Sequence, residues 1–517
     1  MTESESSASV EPHSERKMDT ENPRGFRGRP PEGDRRPLAA PEQVDNRHNY
    51  GVRFSMSART LFDKLWDAHV VRDLGGGVAL IAIDRISLLV SSRVFCTMDH
   101  IVDTLPGRGD STLMPGGTQF ILETREAARE AGIRLFDVRD PLQGIVHVIS
   151  PELGIVLPGA TVVCPDSHTC TQGALGAFAW GIGSTEAEHA LATGTLRMSR
   201  PRTLRVNFEG VLPPGVTAKD MALALISEHG SVGGNGYAVE FAGSAVRALE
   251  IEARLTLCNM ATEFSAVTGF IAPDEKTFEY LKGRDCAPVG AMWDQALQQW
   301  RTLCSDEGAQ FDREITLNVG ELAPMVTWGT SPQQAMPVTG SVPDAGAAGS
   351  SAEAHARALG YMGLEAGQAL AELPIGAAFL GSCTNSRISD LRRAAAILRG
   401  RRVANGVRAI CVPGSMSVKR QAEAEGLDVV FRDAGFEWRE AGCSMCFFAG
   451  GESFGHRERV ISSTNRNFES RQGPETRTHI ASPEVVAASA VTGRITDPRS
   501  LVPIHDLAGS NLAGGPR

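Results

Sequence analysis

The sequence predicts an α/β fold, in which strands and helices alternate along the chain. Short apolar runs at 78–83, 160–164 and 375–380 have the length and composition of buried strands. Segments with capping residues and helical spacing of apolar side chains lie between them. Glycine contributes 55 of the 517 residues, which is typical of a protein with many tight loops around a ligand.

Capping and turn signals predict the individual helices. Ser57 is a candidate N-cap for a helix whose apolar face carries Leu61, Phe62, Leu65 and Trp66. The later elements are, in order, a helix over 118–131 ended by Gly132, a helix capped by Ser184 and Thr185 that runs through Thr193, a helix opened by a Thr217–Asp220 capping box, a helix over 390–398, and a strand near Val429 after Gly426.

Composition narrows the function and the compartment. The net charge is -10 and no long basic run is present, which argues against a nucleic-acid partner. No apolar stretch approaches the roughly 18 residues of a membrane span, so no membrane segment is expected. The ten cysteines are spread through a large chain, which predicts a reducing, cytoplasmic location. Residues 1–55 are rich in Glu, Ser, Arg and Pro, so we expect them to be disordered and not a secretory signal.

Three cysteines in the C-terminal part form the strongest chemical signal. Cys383 lies in the small, polar loop 381–386, while Cys443 and Cys446 form a CxxC pair. Three thiolates suit an iron–sulfur cube in which the fourth iron stays open to water or substrate. An open metal is a Lewis acid, so such a cluster would perform chemistry rather than carry electrons.

A lone CxxC pair has two other interpretations. It is often half of a structural zinc site or a redox-active pair. Zinc normally adds a second CxxC or a nearby histidine pair, and the sequence offers neither. The iron–sulfur interpretation is therefore favoured by the motifs around the cysteines.

Segments 381–386, 442–446 and 463–471 together resemble the aconitase superfamily, and within it the large subunits of the isopropylmalate dehydratases. The resemblance runs from Ser57 to Pro498. It implies three aconitase-like α/β/α domains around one [4Fe–4S] cluster. Domains 1 and 2 would occupy 56–337, a linker 338–356, and domain 3 357–517. It also implies Cys383, Cys443 and Cys446 as the cluster ligands.

Two arginines follow the CxxC pair in the chain. Arg466 and Arg471 are five residues apart, and both guanidinium groups can point into one pocket if this segment is a loop. Arginine binds carboxylates bidentately, so the pair suits a dicarboxylic substrate. A pair of solvated surface charges is the alternative. By resemblance, both arginines bind substrate carboxylates and Asn465 hydrogen-bonds the cluster.

Histidines beside carboxylates supply candidates for proton transfer, because a carboxylate can hold the ring in one tautomer. The resemblance implies that Asp99–His100 and Asp166–His168 are acid–base pairs, that His147 assists, that Ser167 contacts substrate, and that Glu240 is a carboxylate near the open iron. For His147 a structural role in the core is an equally strong interpretation, and for Glu240 a surface position at a strand end is the alternative.

A partner chain is also implied. In single-chain aconitases a swivelling fourth domain carries the serine base and further arginines, and no such domain is recognisable here. The isopropylmalate enzymes place it on a separate small subunit. The resemblance therefore implies a heterodimeric hydro-lyase of leucine biosynthesis, of which this chain is the large subunit. Its substrate would be a dicarboxylic hydroxy acid.

Two segments depart from the family pattern. The stretch 86–95 is shortened and contains no histidine, where relatives have one that helps to contact substrate. Residues 447–451, Phe-Phe-Ala-Gly-Gly, replace a more polar segment. We expect these changes to alter substrate use and to leave the cluster ligands unaffected.

Other functions remain open at this point. The chain could act on another 2-alkylmalate, such as a citraconate-like or homoaconitate-like acid. It could be a cluster-bearing regulatory or RNA-binding protein, against which the acidic balance counts. It could also be a degenerate subunit whose role is assembly.

Overall fold

The computed structural model describes residues 58–86, 93–345, 351–448 and 451–503. Within these ranges the predicted alternation of strands and helices is present. The tail 1–55, for which the sequence predicts disorder, and the predicted N-cap Ser57 lie outside the described residues.

The helices are α1 (Leu61–His69), α2 (Gly117–Ala131), α3 (Val146–Glu152), α4 (Ser184–Thr193), α5 (Ala218–His229), α6 (Ser244–Ala248), α7 (Ile251–Asn259), α8 (Glu275–Leu281), α9 (Ala291–Trp300), α10 (Ala352–Met362), α11 (Ile388–Leu398), α12 (Met416–Ala424), α13 (Leu427–Ala434) and α14 (Pro483–Thr492). The strands are β1 (Val70–Gly75), β2 (Val78–Ala82), β3 (Arg85–Ile86), β4 (Phe95–Thr97), β5 (Arg134–Phe136), β6 (Thr161–Cys164), β7 (Phe178–Gly181), β8 (Thr195–Ser199), β9 (Arg202–Glu209), β10 (Tyr237–Ala242), β11 (Thr268–Phe270), β12 (Arg313–Asn318), β13 (Met325–Thr327), β14 (Ala335–Pro337), β15 (Ala377–Leu380), β16 (Arg408–Cys411), β17 (Phe436–Trp438), β18 (Arg459–Ser462) and β19 (Arg477–Ile480).

Parallel sheets carry the loops that matter for function. A five-stranded parallel sheet, the C-terminal sheet, has the order β17-β16-β15-β18-β19. Parallel sheets also join β3-β6-β7 and β11-β10-β9-β12, and β4 pairs with β5 in parallel. Antiparallel pairing is confined to β1-β2-β8 and β13-β14 among the described strands.

The C-terminal sheet has a switch point beside its central strand. The chain moves from β15 to β16 and β17 on one side, then returns to place β18 on the other side of β15. The loops after β15 and β18 therefore leave the same edge of the sheet in opposite directions. Ligands bind in the crevice that such a divergence creates. The loop after β15 contains Cys383, and the loop after β18 contains Asn465.

Most of the predicted helices are confirmed, although their caps differ. Helix α1 buries the predicted apolar face, but its N-cap is Thr60, whose hydroxyl accepts from the Asp63 amide at 3.0 Å. Helix α2 ends at the predicted Gly132, whose φ of +66° suits glycine. Helix α5 begins with the predicted capping box. Helix α4 begins with Gly183 as its N-cap rather than with the predicted serine and threonine.

The predicted strand near Val429 is wrong, because residues 427–434 form helix α13. Leu427, Phe431 and Ala434 are buried at helical spacing, while Val429 is exposed. The preference of the valine pair 429–430 for strands is outweighed by this burial pattern.

Residues at both ends of the predicted surface linker 338–356 belong to the folded part of the protein. Val338 and Val342 are buried in the core of the C-terminal part, and helix α10 begins at Ala352. Separate hydrophobic cores lie at the C-terminal sheet and at the sheet around β9 and β10. The division into three domains stays a prediction. Among the described residues no helix has both the length and the apolar character needed to cross a bilayer.

Candidate active site

One cavity of about 260 Å³ brings together most of the predicted site residues. Its lining consists of His100, Ile145, His147, Pro165, Asp166, Ser167, His168, Cys383, Cys443, Cys446, Phe447, Arg466 and Arg471. Asp99 and Asn465 reach the same place through hydrogen bonds to lining residues. Glu240 is not among these residues.

The strand ends explain why these distant residues meet. The two cysteine loops and the arginine loop follow β15, β17 and β18 of the C-terminal sheet. Asp166 and His168 follow β6, and Asp99 with His100 follows β4. Within each parallel sheet the loops at the carboxyl ends share one edge, and the loops of these three sheets meet at the cavity.

Hydrogen-bond donors point at two of the three buried cysteines. The amide nitrogens Nδ2 of Asn259 and Asn465 lie 3.2 and 3.5 Å from the Sγ atom of Cys383. The Nη2 atom of Arg471 lies 3.4 Å from the Sγ atom of Cys446. Amide and guanidinium groups donate to negatively charged sulfur, so this arrangement suits thiolates.

Burial nevertheless opposes ionisation of these thiols. Burial raises the pKa of Cys443 to about 12 and raises the pKa of Cys383 well above its ordinary value. A buried thiol of this kind loses its proton when it binds a metal. The raised pKa values make Cys443 and Cys383 poor free nucleophiles, and their position in one cavity with Cys446 is compatible with metal binding.

Backbone strain lies beside the same cysteines. Ser382 has a φ of +79° and Ser444 a φ of +46°, so each non-glycine residue adopts a left-handed conformation next to a cysteine. Such conformations cost about 1 kcal/mol or more and are concentrated at functional sites.

Several buried polar atoms of the site have no hydrogen-bond partner among the described residues: Asn465 Oδ1, Arg471 Nε and Glu263 Oε2. Buried polar groups in native proteins are normally paired, so these atoms fit a site that receives a polar group. Arg471 Nε and the three thiols fit an anionic substrate and an iron–sulfur cluster, whereas the two oxygen atoms can only accept and fit a hydroxyl group.

The fold also brings one histidine close to the cysteines, which the sequence did not indicate. Ligand atoms of Asp99, His100 and Cys443 all lie within 4.8 Å of one another. This mixed oxygen, nitrogen and sulfur set is of the kind that zinc accepts. The zinc alternative therefore has one histidine available, although not the histidine pair or second CxxC of a usual structural site.

Asp166 lies at the centre of a hydrogen-bonded network with two histidines. Its Oδ1 atom is 2.9 Å from His147 Nε2, and its Oδ2 atom is 3.3 Å from His100 Nε2. The other ring nitrogen of His100, Nδ1, is 2.7 Å from Asp99 Oδ1. Both nitrogens of His100 thus face carboxylates, and the negative charge of Asp99 raises the pKa of His100 well above its ordinary value.

The electrostatics of Asp166 complement those of His100. Burial by itself would raise the pKa of Asp166, but the charge of His147 and the hydrogen bonds from His100 hold it well below its usual range. On the other side of the His147 ring, Gln172 Nε2 is 3.4 Å from Nδ1. The ionised Asp166 carboxylate can only accept, so His147 carries a proton on Nε2, toward Asp166.

His168 contacts a second carboxylate besides the predicted Asp166. Its Nε2 atom lies 2.9 Å from Glu263 Oε1, and its Nδ1 atom lies 3.6 Å from Asp166 Oδ1, within ion-pair distance. Asp166 also accepts from the backbone amide of His168 at 2.7 Å. Glu263 also accepts from Arg466 Nε at 2.8 Å, so one carboxylate joins the histidine to an arginine of the cavity.

Glu240 lies elsewhere, which corrects its predicted position near the metal. It is in β10, accepts a hydrogen bond from the Ser305 hydroxyl at 2.6 Å, and lines a separate cavity of about 140 Å³. The carboxylate that reaches the site is Glu263, which the sequence analysis missed. A signal was present, because Glu263 follows the mainly apolar segment 255–261 and a buried carboxylate requires a charged partner.

Arg471 is held between two aromatic rings. Its guanidinium carbon is 5.1 Å from the ring centroids of both Phe447 and Phe468. Cation–π contacts of this kind stabilise a guanidinium group and restrict its orientation. Phe447 belongs to the segment that departs from the family pattern, and it lines the cavity. Of the shortened stretch 86–95, residues 87–92 lie outside the described residues.

Known proteins share sequence with this chain. Residues 56–493 match the profile of the aconitase family (aconitate hydratase). The chain is 51% identical over 464 residues to 3-isopropylmalate dehydratase large subunit 1 of Bradyrhizobium diazoefficiens, which covers 86% of this chain and 97% of that protein. The holo form of aconitase X from Thermococcus kodakaraensis superposes with a TM-score of 0.42 and 13% identity, over 80% of this chain and 91% of that chain.

Proposed function

The chain belongs to the aconitase family, and we propose that it is the large, catalytic subunit of a 3-isopropylmalate dehydratase. This hydro-lyase interconverts 2-isopropylmalate and 3-isopropylmalate through 2-isopropylmaleate, in leucine biosynthesis. The observation that carries the proposal is the convergence of three thiols, two arginines and a histidine–carboxylate network in one cavity. The identity of 51% to a large subunit that is named for this activity supports the choice of substrate.

Membership of the family implies a [4Fe–4S] cluster, and we propose Cys383, Cys443 and Cys446 as its ligands. Their shared cavity and the donors that face Cys383 and Cys446 support this assignment. When bound, the cluster supplies a Lewis acid that makes a substrate hydroxyl a better leaving group. The absence of any disulfide among the cysteines of the described residues supports a reducing compartment.

Arg466 and Arg471 bind the substrate carboxylates in this proposal. Both line the cavity, and both are positioned by neighbours that restrict their motion: Glu263 holds Arg466, and two phenylalanines flank Arg471. A guanidinium fork that is already oriented loses little entropy when it binds a carboxylate. The arginines therefore orient the carbon skeleton with respect to the proton-transfer groups.

The histidine network handles the proton of the departing hydroxyl. His100 holds a proton at Nε2 and faces Asp166, while Asp99 stabilises the charged ring through Nδ1. Transfer of the Nε2 proton from His100 to the departing hydroxyl is the general-acid step, and the hydrogen bond from Nδ1 to Asp99 keeps the ring oriented while it becomes neutral. His147 donates from Nε2 to the same carboxylate and so fixes its position.

We further propose that a small subunit completes the active site. The name of the relative, a large subunit, supports a second chain. The resemblance to isopropylmalate enzymes assigns to that chain the swivelling domain and the base that removes the carbon-bound proton. The heterodimer, rather than this chain alone, would then be the active unit.

The test is an activity assay of the anaerobically reconstituted chain, with and without its small subunit. The expected result is interconversion of the two isopropylmalates by the complex and little turnover by the chain alone. The same assay with citraconate-like and homoaconitate-like acids separates the alternative alkylmalates. A complex that carries its cluster but turns over none of these acids would refute the proposal.

A further inference from the structure

A lysine from a distant helix contacts the backbone of the arginine loop. Lys219, in the first turn of α5, is completely buried. Its Nζ atom donates to the carbonyl oxygens of Ser463 and, at 2.6 Å, Thr464. These two residues directly precede Asn465 and Arg466, and they lie 244 and 245 positions from the lysine in sequence.

The environment of this ammonium group is unusual for a lysine. Long charged side chains are almost never fully buried unless they are paired with an opposite charge. Within the described residues no carboxylate lies within 4.0 Å of Lys219 Nζ. The ammonium group donates hydrogen bonds to two backbone carbonyls instead. Asp220 and Asp390 are the acidic groups that act on it from farther away, with Glu263 and Cys383.

The two aspartates are already engaged in other contacts. Asp220 accepts from the amides of Thr217 and Met325, and Asp390 accepts from the amide of Arg387. The burial of Lys219 is so complete that it lowers the pKa of the amine to about 7. A lysine with no adjacent carboxylate stabilises the fold less than an apolar side chain of similar length would.

We infer that Lys219 is a positioning residue, which fixes the two carbonyl groups before Asn465 and thereby aims Asn465 and Arg466 into the cavity. Asn465 reaches Cys383 Sγ, and Arg466 reaches Glu263, from the turn that the lysine holds. Removal of the ammonium leaves two buried carbonyls without their donor, so the turn has to change conformation to satisfy them.

The inference rests on the proposed function for its kinetic readout. The experiment compares Lys219→Met, which keeps the length without the charge, with Lys282→Met, a change at an exposed lysine. Both are made in the wild-type chain and in Arg466→Lys, as the cluster-loaded complex with the small subunit. Lys219→Gln, which retains an N–H donor, replaces the methionine variant if that variant does not fold.

The expected result is a loss of about tenfold or more in kcat/KM for Lys219→Met in the wild-type background, the size expected when a charged hydrogen-bond donor is lost. In the Arg466→Lys background the same change should lower kcat/KM much less, because Lys219 acts by positioning the arginine that this background has already lost. A purely structural lysine would give the same fold loss in both backgrounds. Equal losses, or an unchanged kcat/KM in a folded, cluster-loaded variant, would overturn the inference.

A second measurement does not depend on the substrate. Hydrogen–deuterium exchange of amides in 463–467 should be faster by about tenfold in Lys219→Met than in Lys282→Met, with little change elsewhere. If the wild-type complex turns over no alkylmalate, the proposed function fails, and the exchange result alone decides the role of Lys219. Unchanged exchange in this segment would refute that role.

Discussion

The carboxylate of Glu263 joins two parts of the site, so its removal is the most informative change. Glu263 is buried and contacts His168 Nε2 at 2.9 Å and Arg466 Nε at 2.8 Å. Glu263→Gln keeps the shape of the side chain and removes its charge. We expect this variant to lose stability in a pH-dependent way and to lose activity through the misplacement of Arg466.

The magnitude follows from the protonation of His168. Burial alone would lower the pKa of His168, but the negative charge of Glu263 and the interactions of the ring with Asp166 and Glu263 raise this pKa to about 9 from an ordinary value of 6.5. The difference corresponds to about 3 kcal/mol. Because the folded pKa is raised, this stabilisation is fully present below pH 6.5 and is lost as the pH rises through 9.

The assay is thermal unfolding of the cluster-loaded complex between pH 6 and pH 10, under anaerobic conditions. At pH 6 the unfolding temperature of Glu263→Gln should lie below that of the wild type. The difference should correspond to a loss of about 3 kcal/mol in the free energy of unfolding. The gap should narrow as the pH rises through 9. Glu279→Gln, at an exposed glutamate of α8, is the matched control and should show no gap.

A gap between Glu263→Gln and the wild type that does not vary with pH would refute the reasoning about His168. It would mean that His168 is neutral in the folded protein and that the glutamate serves Arg466 alone. No gap at any pH would mean that the carboxylate does not stabilise either partner.

Three further predictions concern the cluster, the substrate and the backbone. Cys443→Ser should lose most of its iron and inorganic sulfide after reconstitution, whereas Cys286→Ser, at an exposed cysteine, should retain both. Equal loading of the two variants, or zinc without sulfide in the wild type, would contradict the ligand assignment. Arg466→Lys should keep the cluster but lower kcat/KM by an amount equivalent to about 2–5 kcal/mol, because lysine offers a point charge in place of a planar fork. An unchanged kcat/KM would show that Arg466 does not bind the substrate. Gly173→Ala should markedly lower the midpoint temperature of unfolding, because a Cβ atom at this position would lie 1.9 Å from the carbonyl oxygen of Gly269. A midpoint equal to that of the wild type would show that the backbone segments around Gly173 and Gly269 separate easily.

Local sequence was enough to predict many features of this protein. The α/β class follows from apolar runs and capping residues, which act within a few residues of one another. The thiols Cys383, Cys443 and Cys446 and the arginines were recognisable because each lies in a short motif. The structure brings all of these groups to one cavity, in agreement with the expectation that they work together.

Residue partners were the features that only the tertiary structure decided. The sequence predicted Asp166, a near neighbour in the chain, as the partner of His168. In the structure the shortest side-chain contact of the His168 ring is with Glu263, 95 residues away. The sequence selected Glu240, which lies within β10 and lines a separate cavity, and it contained no signal that singled out Lys219. The physical reason is that a buried charge is stabilised by whichever opposite charge or dipole the packing of separate elements brings within about 3 Å, and that approach is not encoded in any local spacing.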